Sequence, residues 1–194
     1  MLRPDIQVSG SPGNRARGER PTTTAMTLEK FCRKAGDIAA TALPAEVPPR
    51  IADCLSGLLA NDDLLAPAHR KASGSGYGRN ILFVCPAGLF SVLAVVWPPG
   101  ITTPVHDHKV WCAFGVYEGD VVETRYDPAD DGPRPDRAVP SATSALGVGA
   151  VAHLPVTGNI HRMRNLTRRT AITIHVYGGD SRRMGANVER IYNA

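Results

Sequence analysis

The second half of the chain consists of short runs of β-branched and aromatic residues, separated by turn residues. After Gly74-Ser75-Gly76 these runs are ILFV (81–84), LFSVLAVVW (89–97), WCAFGVY (111–117), VVETRY (121–126), AVAHL (150–154) and AITIHVY (171–177). Evenly spaced short strands with Gly, Pro and Asp between them are typical of antiparallel barrels and jelly rolls. The sequence therefore predicts a mostly β fold, in which the polar, proline-rich segment 127–141 is a surface loop.

Two short amphipathic helices are predicted ahead of the strands. Apolar residues recur at helical spacing from Leu28 to Ala39 and again from Ile51 to Leu59, on either side of a proline-rich break. Residues 1–25 are rich in Gly, Pro, Ser, Thr and Arg and have almost nothing apolar to bury, which predicts a disordered extension. We expect one domain over 26–194, with helices at about 27–62 and the barrel at about 77–194.

Composition excludes several classes of function. The net charge is +4, but the basic residues lie in the N-terminal stretch or scatter among turns, which argues against a nucleic-acid partner. No apolar run approaches the roughly 18–20 residues that span a bilayer, so no membrane partner is expected. The four cysteines show no CxxC spacing and indicate reduced thiols rather than a disulfide framework. We expect a cytoplasmic protein, either a monomer or a small homo-oligomer.

Three histidines form a candidate metal site. His106 and His108 lie at positions i and i+2 between a Pro/Gly turn and a strand, so both side chains project to the same face. Their Cα atoms would be about 6–7 Å apart, close enough for both rings to bind one ion. His161, in GNIHRMRN, offers a third ring. Imidazole binds Fe, Zn, Cu and Ni alike, so these residues do not choose the metal.

The spacing around these histidines resembles the two sequence motifs of the cupin superfamily. The first motif would run from Gly100 through His106 and His108 to Gly119, with Cys112 in the place of the usual glutamate ligand. The second would run from Gly149 through Pro155 to Gly158-x-x-His161-x-x-x-Asn165, with one residue inserted. The resemblance implies a double-stranded β-helix, or jelly-roll barrel, that binds one metal through His106, His108 and His161.

Within the cupins, two further features resemble the cysteine dioxygenase family, in its bacterial type. One is Cys112 in place of the glutamate, and the other is the strand motif Thr173-x-His175-x-Tyr177. Alternation puts Thr173, His175 and Tyr177 on one strand face, which suits a hydrogen-bonded relay. The resemblance implies catalytic roles for these three residues and for Cys112, which in that family can form a thioether to the tyrosine.

A third feature concerns substrate binding. Tyr77-Gly78-Arg79-Asn80 resembles the family's Tyr-x-Arg-Asn, in which the arginine binds the substrate carboxylate. Arginine suits this role because its planar fork pairs bidentately with a carboxylate. Arg79 and Tyr77 are therefore candidate substrate-binding residues. Trp111, three residues after His108, is a further candidate for the wall of the substrate cavity.

The resemblance implies an enzyme with one ferrous iron per chain that adds both atoms of O2 to the sulfur of a small thiol, most simply L-cysteine to cysteine sulfinic acid. The short spacing from His108 to Cys112 and the ending HVYGGD are also similar to mercaptopropionate dioxygenases. Those enzymes usually carry glycine at the Cys112 position and lack the arginine at the Arg79 position. Three alternatives stay open: a dioxygenase for 3-mercaptopropionate or mercaptosuccinate, a non-oxidative cupin with Zn or Ni, and a small-molecule sensor without catalysis.

Overall fold

The computed structural model describes residues 24–74, 76–129, 136–185 and 187–194. The predicted disordered extension over 1–25 falls almost entirely on residues 1–23, which lie outside the described part of the chain.

Two helices precede the strands, as the apolar spacing predicted. Helix α1 spans Leu28–Thr41, and the side chain of Thr27 caps it by accepting a hydrogen bond from the backbone N–H of Lys30. Helix α2 spans Val47–Leu59 and has proline in its first turn, where no intrahelical hydrogen bond is lost. A 3-10 helix at Pro67–Arg70 and the short helix α3 at Ser181–Met184 complete the helical part. No helix in the described ranges is long and apolar enough to cross a membrane.

In the described ranges ten strands form two antiparallel five-stranded sheets. The first sheet has the order β1-β2-β9-β4-β7 and the second the order β10-β3-β8-β5-β6. The strands are β1 (Gly78–Val84), β2 (Phe90–Trp97), β3 (Val105–His108), β4 (Cys112–Glu118), β5 (Val121–Pro128), β6 (Ala138–Leu146), β7 (Val151–Leu154), β8 (His161–Arg164), β9 (Ala171–Gly178) and β10 (Val188–Tyr192).

The three central strands of the first sheet, β2, β9 and β4, are buried on both faces, which explains their continuous apolar runs. In β9, Ile172 and Ile174 pack with α1 and α2 on the outer face. The alternate residues of this strand, including Tyr177, face the space between the two sheets. Helix α2 approaches the sheet so closely that a Cβ built on Gly115 would lie 2.5 Å from Leu59 Cδ1. The outer face of the first sheet therefore shares a core with the helices.

The structure corrects part of the strand prediction. Segment 127–141 is not wholly a loop, because β5 continues to Pro128 and β6 begins at Ala138. Most of β6 is exposed, so the predicted surface position of this segment holds for its described residues except Ala138, which is buried. The short strands β8 and β10 were not among the predicted runs, since neither contains a long β-branched or aromatic stretch.

The two facing sheets give the cupin double-stranded β-helix that the motifs predicted, preceded by short helices. The motif glycines lie at turns: Gly100 and Gly119 have φ values of 76° and 70°, which favour glycine. The candidate metal ligands lie on β3 and β8 of the second sheet, and the relay residues lie on β9 of the first. The candidate site is thus enclosed between the sheets.

Candidate metal centre

The three predicted ligands are brought together by pairing of β3 with β8. His106 lies directly opposite His161 in the register, and His108 is on the same face of β3 as His106. Their ligand atoms all lie within 4.8 Å of one another, and Nε2 of His108 is 3.0 Å from Nε2 of His161. The three rings are buried, with 6%, 5% and 2% exposure for His106, His108 and His161. This arrangement suits one ion bound by three imidazoles.

Hydrogen bonds to Nδ1 leave Nε2 of His106 and of His161 available for a metal. Nδ1 of His106 is 2.9 Å from the Pro104 carbonyl oxygen, which can only accept, so Nδ1 carries the proton. Nδ1 of His161 is 3.0 Å from Oε1 of Glu123. In both rings Nε2 is then the unprotonated nitrogen and is free to bind a metal. The residues present therefore fit a metal ion.

The buried carboxylate of Glu123 is an anion beside the site. Burial by itself would raise its pKa, but the hydrogen bond and charge of His161, followed by the charge of Arg125, bring the pKa below its ordinary value. Nε of Arg125 is 3.3 Å from Oε2 of Glu123. The carboxylate thus supports His161 from behind, as in the carboxylate–histidine–metal arrangement common in metalloproteins.

Burial keeps the rings of His106 and His108 neutral. It lowers the pKa of His106 to about 4, with a further contribution from His161. Burial, followed by His161 and then His106, lowers the pKa of His108 to about 2. Neutral imidazole is the form that binds a metal, so the site is ready to accept an ion at neutral pH.

Cys112 stands behind the site and not among the ligands. It lies opposite Tyr177 in the pairing of β4 with β9, and its Sγ is 3.7 Å from Nδ1 of His175. Burial first, and then the charge of Glu123, raise the pKa of the Cys112 thiol well above its ordinary value. The residue in the place of the usual cupin glutamate is therefore a protonated thiol next to a tyrosine.

The relay predicted from Thr173-x-His175-x-Tyr177 is formed. The Thr173 hydroxyl is 2.8 Å from Nε2 of His175, and Nδ1 of His175 is 3.0 Å from the Tyr177 hydroxyl. Burial, followed by Cys112, raises the pKa of Tyr177 well above its ordinary value, so the phenol stays protonated. The chain of hydrogen bonds ends at a phenol on the cavity wall.

Arg79 reaches the cavity from β1. Its Nη1 donates to the Gly185 carbonyl oxygen at 2.5 Å, and its Cζ lies 5.8 Å from the centre of the Tyr177 ring. Its Nη2 is buried and has no hydrogen-bond partner in the described part of the chain. Tyr77, beside it, stacks on Trp97 with ring centres 5.1 Å apart. A buried, unpaired guanidinium nitrogen is costly unless an anion pairs with it.

One small cavity joins these groups. Seven of the predicted site residues line it, with five others that sequence reasoning did not assign to the site. The lining consists of Tyr77, Arg79, Val95, Trp97, Thr103, His106, His108, His161, Met163, His175, Tyr177 and Val188. Thr173 and Cys112 lie one layer behind this wall, where they contact His175.

The structure does not place Trp111 at the cavity. Its ring lies against Gly178, where an added Cβ would be 2.5 Å from Trp111 Nε1, and it packs against the core shared with the helices. The prediction that Trp111 walls the substrate cavity is therefore corrected. The tryptophan that does line the cavity is Trp97.

Two polar residues near the site were missed. Glu123 holds His161, and Asn159 accepts a hydrogen bond from the His108 backbone N–H at 2.9 Å. The signal for Glu123 was available, because it alternates with Val121 in VVETRY and so faces the same way as a buried valine. Asn159 lies in a loop, where alternation gives no such information.

The fold and the histidine cluster together define a cupin with a three-histidine metal site. The family model for cysteine dioxygenase type I matches residues 69–183, which include every candidate site residue named above. The chain belongs to the cysteine dioxygenase type I family and is a thiol-dioxygenase-type cupin.

Three solved structures with a similar fold share 14% to 20% sequence identity with this chain. A Klebsiella pneumoniae protein with a double-stranded β-helix domain is 14% identical, with 69% of this chain and 100% of that chain covered and a TM-score of 0.47. A cupin 2 conserved barrel domain protein from Salinispora arenicola is 19% identical, with 60% and 87% covered and a TM-score of 0.43. Oxalate oxidase in complex with glycolate is 20% identical, with 62% and 61% covered and a TM-score of 0.45.

Proposed function

We propose that this protein is an iron-dependent dioxygenase that converts L-cysteine to cysteine sulfinic acid. The observation that carries the substrate assignment is the buried, unpaired Nη2 of Arg79 on the wall of the cavity that contains the three histidines. A substrate carboxylate would pair with this cation, which leaves its thiol free to reach the metal site.

In this proposal His106, His108 and His161 hold one ferrous ion per chain. Three neutral imidazoles leave the site more cationic than a site with two histidines and one carboxylate, and they leave coordination positions open. When bound, iron supplies the thiolate-binding and oxygen-activating chemistry. Both atoms of O2 end on the cysteine sulfur, so the overall reaction needs no added reductant.

The chain's own residues orient the substrate and exclude water. Arg79 would hold the carboxylate, and Tyr77, stacked on Trp97, would close the cavity beside it. Tyr177 would donate a hydrogen bond to the substrate or to dioxygen, because its phenol stays protonated and lines the cavity. His175 and Thr173 would hold that phenol in place.

The test is steady-state oxygen uptake by iron-loaded protein with four thiols: L-cysteine, 3-mercaptopropionate, mercaptosuccinate and cysteamine. The proposal expects the highest kcat/KM for L-cysteine and the formation of cysteine sulfinic acid. A higher kcat/KM for 3-mercaptopropionate or mercaptosuccinate would reassign the substrate within the same reaction class. Protein loaded with zinc is the matched control, and oxygen uptake there should be absent.

We further propose that residues 26–194 work as one domain, in the cytoplasm, as a monomer or a small homo-oligomer. Metal analysis together with light scattering after size exclusion tests the stoichiometry, with one iron expected for each chain. A metal content far below one per chain after anaerobic iron loading would argue against the site.

A further inference from the structure

Trp97 stands at the far end of the relay that leads to Tyr177. It is the last residue of β2 and is buried, and its ring lines the cavity. Its Nε1 lies 2.8 Å from the Thr173 hydroxyl oxygen. Indole N–H is a donor only, so the direction of this hydrogen bond is fixed. This fixed donor is the starting point for assigning the protons of Thr173, His175 and Tyr177.

The Thr173 hydroxyl also forms a hydrogen bond with His175. The hydroxyl oxygen accepts from Trp97 and has one proton of its own to donate, and Nε2 of His175, 2.8 Å away, is an acceptor within reach of that proton. In the described part of the chain, no other acceptor is paired with this hydroxyl. Nε2 of His175 is therefore the acceptor nitrogen.

The remaining nitrogen of His175 must then carry the proton. Burial first, and then the charge of His161, hold the pKa of His175 well below its ordinary value, so the ring is neutral and has a single N–H. With Nε2 as acceptor, that N–H is on Nδ1, which lies 3.0 Å from the Tyr177 hydroxyl. The Tyr177 oxygen thus accepts from His175, and its own proton points elsewhere.

We propose that Trp97 is a positioning residue that fixes His175 in its Nδ1–H tautomer and so turns the Tyr177 hydroxyl proton away from the imidazole, where it can point to the cavity or to the sulfur of Cys112 opposite it. With the indole N–H in place the Thr173 proton has only Nε2 of His175 to bond among the described residues, whereas without that N–H the proton can turn into the space beside the ring and the oxygen can accept from Nε2. The opposite tautomer then becomes available, and in that tautomer Tyr177 donates its proton to Nδ1. The Cys112 thiol, 3.7 Å from Nδ1, is too weak a partner to restore the direction.

The tautomer is measurable without turnover. Nitrogen NMR of the full chain, labelled in its six histidines and freed of paramagnetic metal with a chelator, distinguishes protonated from unprotonated ring nitrogens. A His175→Asn variant assigns the His175 signals. The expected result for the unsubstituted chain is protonation at Nδ1. Protonation at Nε2 overturns the proposal, even if every variant fails to fold.

Four variants extend the test. Trp97→Phe keeps an aromatic ring and removes the N–H, and should give a mixture of tautomers or the Nε2–H form. Thr173→Val, which lacks the hydroxyl, should also lose the preference, whereas Thr173→Ser should keep Nδ1–H. Trp111→Phe removes an indole outside the cavity and should leave the tautomer unchanged. An unchanged tautomer in Trp97→Phe, or the same loss in Trp111→Phe, contradicts a role for the Trp97 donor.

The catalytic consequence rests on the proposed function. For iron-loaded Trp97→Phe with L-cysteine, kcat should fall about tenfold while KM stays within about twofold, the effect of one misdirected hydrogen bond in the reacting complex. A fall in kcat together with an unchanged tautomer would make Trp97 a packing residue and overturn the proposal. If no thiol drives oxygen uptake even in the unsubstituted protein, the proposed function fails while the tautomer measurement still decides this inference.

Discussion

Removal of the Arg79 guanidinium should weaken the use of substrates that carry a carboxylate and spare those that do not. In Arg79→Gln the cavity loses Nη2, a buried donor that has no hydrogen-bond partner in the described part of the chain and could pair with an anion. A hydrogen bond to a charged group contributes about 1.5–3 kcal/mol. Because about 1.4 kcal/mol is a factor of ten, kcat/KM for L-cysteine should fall roughly 10- to 150-fold.

Cysteamine has the thiol and amine of cysteine without its carboxylate, and so provides an internal control. The same substitution also removes the hydrogen bond from Arg79 to the Gly185 carbonyl oxygen, and any resulting loosening of the fold affects both substrates. Oxygen uptake by unsubstituted protein, Arg79→Gln and Arg79→Lys with each thiol isolates the carboxylate contribution. Arg79→Lys keeps a charge without the planar fork and should be intermediate. Equal losses for cysteine and cysteamine would refute a carboxylate role for Arg79.

Three further perturbations test the centre. Glu123→Ala should weaken metal binding about 10- to 100-fold in competition with a chelator, because the Nδ1–H of His161 loses its anionic partner. Glu118→Ala, at an exposed position, is the control and should not change metal affinity. The metal-free protein should lose stability as the pH falls below 6.5, because His106 and His108 take up protons in the unfolded chain but stay neutral in the folded one. Urea unfolding should show about 2 kcal/mol lost per histidine at pH 5. Equal stability at pH 7 and pH 5 would contradict the lowered pKa values of these two histidines. Tyr177→Phe should lower kcat about a hundredfold, the contribution typical of a positioned proton donor, and full turnover would remove that role.

The sequence predicted the ligands and the relay because both depend on local alternation. His106 and His108 share a face of one strand, and Thr173, His175 and Tyr177 share a face of another, so a period of two was enough. The same rule, applied from Cys112, would have placed Trp111 on the opposite face, toward the helices. That error came from treating nearness along the chain as nearness in space.

Other features needed the three-dimensional pairing. Alternation does not show which cross-strand partner a buried polar group meets, so the contacts of Glu123 with His161 and of Trp97 with Thr173 were not predictable. The strand β8 has four residues and few β-branched side chains, and its pairing with β3 depends on the whole sheet. Burial on both faces also makes inward and outward apolar positions of the first sheet look alike in sequence.

In the proposed reaction a three-histidine iron site in this cavity adds both atoms of dioxygen to the sulfur of cysteine. The most direct measurement is mass spectrometry of the product formed by iron-loaded protein from L-cysteine under ¹⁸O-labelled dioxygen, with oxygen uptake recorded in the same reaction. The expected product is cysteine sulfinic acid with two labelled oxygen atoms, with one O2 consumed per cysteine. A product with one labelled atom or none, or cystine alone, would contradict it.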